Sequence, residues 1–188
     1  MTYKAKKIKM KKNEKILKRF VGTYKNKINM LYSVPAPEKQ LVKINIFFTF
    51  EKPLFVNKSS TQVLGRCVQT IPLIAKEETE DAGANKVRKI KKYNNSLQSY
   101  CMYWNKKQKY FDVIVLDTDD NTIFQFKYEA KKKFLGNVSE KPDVTKLLDS
   151  KVPPNSLVGT FEMSKIKNIP FNVITYNELY NEKIKDKL

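Results

Sequence analysis

Residues 110–133 read YFDVIVLDTDDNTIFQFKYEAKKK, and the fold expected of the chain turns on them. Two apolar-rich runs, 110–116 and 122–130, flank Asp117-Thr118-Asp119-Asp120-Asn121, a cluster of residues that favour tight turns, so the stretch reads as a β-hairpin. A two-residue loop closed by Thr118 and Asn121 sets Phe111 opposite Tyr128, Asp112 opposite Lys127, Val113 opposite Phe126 and Val115 opposite Phe124. Side chains alternate along a strand. Phe111, Val113, Val115, Phe124, Phe126, Tyr128 and Ala130 therefore share an apolar face, and Asp112, Lys127, Glu129 and Lys131 share the opposite one.

Upstream, Tyr93–Tyr110 concentrates aromatics among lysines and asparagines and reads as a strand leading into the hairpin, giving an antiparallel meander from about residue 98 to 131. Its aromatics fit either a packed core or stacking on unpaired bases. Lys76–Asp81 (KEETED) followed by the basic run 85–92 (NKVRKIKK) has the charge order that suits a helix, with Gly83 as an interruption. Residues 59–75 fit a helix or a strand. Leu41–Phe50 is rich in β-branched and aromatic residues and predicts one strand, with a shorter one over 54–56. Val34-Pro35-Ala36-Pro37 marks a junction between a basic arm, 1–34, and a single body, 35–188. In the arm, Ile16, Leu17, Phe20, Tyr24, Ile28 and Leu31 recur at helical spacing behind Asn13, a ready N-cap.

Downstream, Gly136-Asn137 predicts a turn, 141–149 a short helix, 156–163 a strand or helix start, and Phe171–Thr175 a buried strand. Asn177–Tyr180 opens a terminal helix capped by Thr175 or Asn177. The predicted class is α+β, or mixed α/β: a central sheet containing the 110–131 hairpin, flanked by helices.

Thirty-seven Lys and Arg against 19 Asp and Glu give a net charge of +18, which calls for counterions or a polyanion. Nucleic acid is the first candidate, DNA ahead of RNA. A membrane surface is set aside because no apolar run reaches a spanning length; with no signal peptide in view, a soluble intracellular protein is expected, and the sequence is compatible with a homo-oligomer. Only Arg19, Arg66 and Arg88 are arginine, so part of the basicity has the look of A/T-biased coding. The chain has no histidine, and Cys67 and Cys101 form no C-x-x-C pair, which removes Ser-His and Cys-His nucleophiles and a zinc centre. Five glycines without a glycine-rich loop remove the P-loop and dinucleotide classes. The candidate phosphate contacts are Lys6, Lys7, Lys9, Lys11, Lys12, Lys15, Lys18 and Arg19 in the arm and Arg88, Lys89, Lys91 and Lys92 in the later run.

Asp112 on one strand and Glu129-Ala130-Lys131 on the next resemble the core of the PD-(D/E)xK nuclease superfamily, with Phe111 standing where that pattern has proline. The resemblance covers about residues 98–182. It implies that Asp112 and Glu129 hold Mg²⁺ or Mn²⁺ and that Lys131 orients the attacking water, with a further carboxylate from Glu77, Glu78 or Glu80 on a helix. The implied activity is a metal-dependent DNA endonuclease of viral or mobile-element type. Two other readings stay open: Asp112 and Lys127 as a cross-strand ion pair on a solvated face, and a non-catalytic coat or nucleoprotein whose lysine-rich arm neutralises a packaged genome.

Overall fold

The structure is a computed structural model and describes residues 13–26, 30–33, 41–79, 86–129, 134–137, 157–158 and 162–187. Its centre is the expected hairpin. β8 (Tyr110–Leu116) and β9 (Thr122–Tyr128) pair antiparallel, with Phe111 opposite Tyr128, Asp112 opposite Lys127, Val113 opposite Phe126 and Val115 opposite Phe124. The loop differs from the expected two residues. Asp117 N donates to Asn121 O at 3.0 Å and Asp120 takes a left-handed φ of 61°, which makes a three-residue loop. A register shift between Val115 and Leu116 then skips Ile123 and restores the parity below it.

Around this hairpin runs an antiparallel sheet. In chain order the strands are β1 (Gly22–Asn26), β2 (Met30–Ser33), β3 (Leu41–Ile44), β4 (Phe47–Phe50), β5 (Phe55–Val56), β6 (Gln62–Thr79), β7 (Lys86–Asn105), β8, β9, β10 (Phe134–Asn137), β11 (Leu157–Val158) and β12 (Glu162–Lys165). The large sheet has the order β4-β1-β12-β10-β9-β8-β7-β6-β5, and β4 also pairs with β6, so the sheet curls until its ladder returns on itself. β11, β2 and β3 form a small second sheet. Two short helices are described, α1 over residues 13–20 and α2 (Tyr176–Lys185).

This overturns the α+β, helix-flanked expectation: the protein is mostly β. The reason lies in pairing between distant strands. The stretch with helix-like charge order is two strands of one ribbon, in which Glu77 stands opposite Arg88 and Thr79 opposite Lys86. Beyond Thr70 on β6, where β4 stops, and before Ser99 on β7, where β8 stops, these strands run on as a two-stranded ribbon. Three further expectations change. Leu41–Phe50 breaks at Asn45 and Ile46 into strands of different sheets. Gly136-Asn137 lies within β10 rather than a turn. Among the described residues Phe171–Thr175 pairs with no strand; Phe171 instead wedges between Phe47 and Tyr93, with ring centroids at 5.0 and 5.5 Å. The helix read over 141–149 lies outside the described residues.

The concave side of the sheet is filled rather than hollow. Phe111, Val113, Val115, Phe124, Phe126 and Tyr128 point into it with Phe48, Phe50, Tyr100 and Met102. α1 supplies the plug: Phe20 is fully buried, with ring centroids 4.7 Å from Phe50, 5.1 Å from Tyr128 and 5.2 Å from Tyr100. The helical stripe read from Ile16 onward stops at Phe20. Gly22, at φ 146°, turns the chain into β1, and Lys165 Nζ donates to Arg19 O at 2.7 Å, satisfying a carbonyl at the helix end. On the convex side, Leu179 of α2 covers Val68 and Leu97. Thr175 caps α2, its Oγ1 accepting from Glu178 N at 3.2 Å. Among the described residues no helix is long and apolar enough to cross a membrane.

Candidate nucleic-acid interface

Three segments meet where α1 enters the sheet. The first is the loop 57–61, Asn-Lys-Ser-Ser-Thr. Asn57 Oδ1 accepts from Thr61 N at 2.8 Å and Gln62 N at 2.9 Å, while its Nδ2 donates to Thr61 Oγ1 at 2.9 Å. A short amide side chain that bonds the backbone ahead of it fixes such a loop without secondary structure. The second is the turn between β7 and β8, where Asn105 Oδ1 accepts from Lys107 N and Gln108 N and Lys109 takes a left-handed φ of 60°. That turn holds Lys106, Lys107 and Lys109 exposed. The third is the first residue of α1: Asn13 Nδ2 donates to Ser60 O at 3.0 Å. Trp104 N donates to Thr61 O at 2.8 Å and joins the turn to the loop.

Two clefts flank this junction. The larger, about 660 Å³, has an apolar floor that includes Leu17, Pro53 and Val56 and, among the described residues, carries Lys18, Lys52 and Lys58 against one carboxylate, Glu14. The smaller, about 440 Å³, lies among Asn13, Ser59, Thr61, Tyr103, Trp104 and Lys106. Tyr103 is 45 % exposed, whereas Trp104 is half-buried with its ring 4.9 Å from Phe111. Lysines beside apolar and aromatic surface are the combination that holds a single strand, phosphates on the ammonium groups and bases on the rings.

The residues predicted from the hairpin lie elsewhere on the sheet. Asp112 is partly exposed on the outward face, opposite Lys127, and Glu129 lies just past the end of β9. Lys127 Nζ sits over the Tyr110 ring at 4.9 Å. Lys131 falls outside the described residues. Neither cleft is lined by Asp112 or Glu129, and among the described residues no group of three or more Cys, Asp and Glu side chains converges as a metal site would need. Glu77 and Glu78 are strand residues, not helical ones: Gln62 is the β6 residue level with Asp112 through Tyr103, and Glu78 is roughly 50 Å of strand away from it. Glu80 lies outside the described residues.

Of the expected phosphate contacts, Lys6, Lys7, Lys9, Lys11 and Lys12 lie outside the described residues. Lys15, Lys18 and Arg19 are exposed on α1, and Lys18 lines the larger cleft. Arg88, Lys89, Lys91 and Lys92 belong to the ribbon half of β7, away from both clefts. Lys52, Lys58, Lys106 and Asn13 were missed as site residues. A signal for two of them was present: the segments Asn57–Thr61 and Asn105–Lys109 are asparagine-led turns that carry lysine.

Among the described residues, titration by buried groups adds no catalytic candidate. Burial pushes the Cys67 thiol well up, the nearby Glu51 carboxylate adding to the effect, and burial also raises Cys101. Neither is an activated thiolate. Burial likewise raises the Tyr24 and Tyr100 hydroxyls, which donate at 2.6 Å to Phe20 O and Glu51 O. Asp117 is held below the usual carboxylate range first by its bond from the Asn121 amide, a structural role within the hairpin loop.

Comparison with family models, with curated proteins and with solved structures gives no match.

Proposed function

We propose that the chain is a non-catalytic nucleic-acid-binding protein that holds a strand across the two clefts at the α1 end. The observation that carries this reading is the placement of Lys18, Lys52, Lys58 and Lys106 around two clefts whose only carboxylate among the described residues is Glu14. The net charge of +18 supplies the long-range attraction. The filled interior supports it from the other side, since a packed aromatic core leaves ligand binding to the surface. In a salt titration of labelled single-stranded DNA by fluorescence anisotropy, log K falls linearly with log salt. The Lys52→Gln/Lys58→Gln double variant lowers that slope by roughly 1.4, about 0.7 per lost phosphate contact. Salt-independent binding, or an unchanged slope in the variant, overturns the reading.

The nuclease reading keeps one specific support, Asp112 opposite Lys127 on the hairpin with Glu129 two residues further along the chain. It is tested separately: plasmid with Mg²⁺ or Mn²⁺ is nicked by wild type and spared by Glu129→Ala if that reading holds.

A further inference from the structure

We propose that the smaller cleft is a seat for one unpaired nucleobase, read at its N–H edge by Asn13. The proposal rests on the nucleic-acid reading above and adds what part of the strand enters and where. Asn13 is 1 % exposed and lines this cleft. Its Nδ2 is committed to Ser60 O at 3.0 Å, and its Oδ1 is buried with no hydrogen-bond partner among the described residues. A buried acceptor carries a desolvation penalty until a donor meets it. Exocyclic amino groups and ring N–H groups on the Watson–Crick edge of a base are donors of the needed kind, whereas a phosphate, which offers only acceptors at neutral pH, is not.

The remaining walls fit the rest of a nucleotide. Tyr103 presents an exposed ring for stacking, while Trp104 is held in place by Phe111 at 4.9 Å. Lys106 stands at the same cleft on a turn fixed by Asn105, placed for the adjoining phosphate. Ser59 Oγ and Thr61 Oγ1, 2.7 Å apart, add hydroxyl groups to the opposite wall. A volume near 440 Å³ falls within the roughly 300–1,000 Å³ of small-molecule sites. A lysine patch alone would bind any polyanion. The orphaned acceptor and the ring together select a base.

The test uses the full chain and its single tryptophan. Trp104 fluorescence is followed during titration with short oligo(dA), with an abasic oligonucleotide of the same length and with heparin. Oligo(dA) quenches Trp104, and the other two bind without quenching. Tyr103→Ala, at an exposed position where folding is unaffected, weakens oligo(dA) by about tenfold, the loss of one stacked base, and leaves heparin unchanged. Equal quenching by the abasic strand, or unaltered oligo(dA) affinity in Tyr103→Ala, overturns the base seat while the polyanion reading stands. Failure of wild type to bind any of the three at low salt removes both.

Discussion

Gly65 shows how much of this fold rests on single positions. It stands opposite Tyr100 in the β6–β7 ladder, and a Cβ there would collide with the Tyr100 ring. Tyr100 is buried and tied to Glu51 O, so its ring has nowhere to go. Gly65→Ala is therefore expected to lose about 1–3 kcal/mol in denaturant unfolding. Phe20→Ala removes the ring at the centre of the aromatic cluster and is expected to lose about 3–5 kcal/mol. The buried tyrosines also set an alkaline limit. Tyr24 and Tyr100 have hydroxyl pKa values raised in the folded state, so the unfolded chain releases those protons first, and the folded state loses stability as pH rises above about 10. Tyr24→Phe and Tyr100→Phe are expected to flatten that fall in thermal unfolding measured from pH 8 upward. At this scale the sequence was informative where alternation decides: Phe111, Val113 and Val115 share the buried face of β8 while Asp112 stands on the other, as period two requires. It was misleading at Phe171–Thr175, where strand-favouring residues serve as a wedge against Phe47 and Tyr93.

Elements whose termini carry their own chemistry were the readable ones. Thr175 caps α2 through Glu178, a spacing visible in the sequence, and Thr175→Ala is expected to reduce stability by about 1 kcal/mol. The hairpin loop was read one residue short, and the register shift beside Leu116 compensated. At the other terminus, a helical stripe continued past the point where the helix ends, because Tyr24 fits both a helix face and a strand face; Gly22 with its φ of 146° is the residue that decides. The consequence is experimental. Removing residues 1–12 leaves α1 and its plug in place and is expected to preserve cooperative unfolding while weakening nucleic-acid affinity at low salt. Removing residues 1–20 takes out Ile16, Leu17 and Phe20 as well, and is expected to abolish the folded state by near-ultraviolet circular dichroism.

Across the whole molecule, what the sequence concealed was which strands meet. Periodicity reports local geometry, and it located β8, β9 and much of β7. It contains nothing about β4 returning to β6, or β1 lying between β4 and β12, which are the pairings that turn a sheet into a curled, filled body. The clefts were hidden for the same reason, since α1, the loop 57–61 and the β7–β8 turn are brought together only by that curvature. The β1–β12 pairing carries a cost during synthesis. Asn26 pairs with Met163, and at about 5–20 residues per second a ribosome needs roughly 7–27 seconds to make the chain between them. Over that interval the nascent chain carries β1 with one flank uncovered, beside the aromatic face of β4, and the newborn protein must be sheltered or kept dilute until β12 emerges.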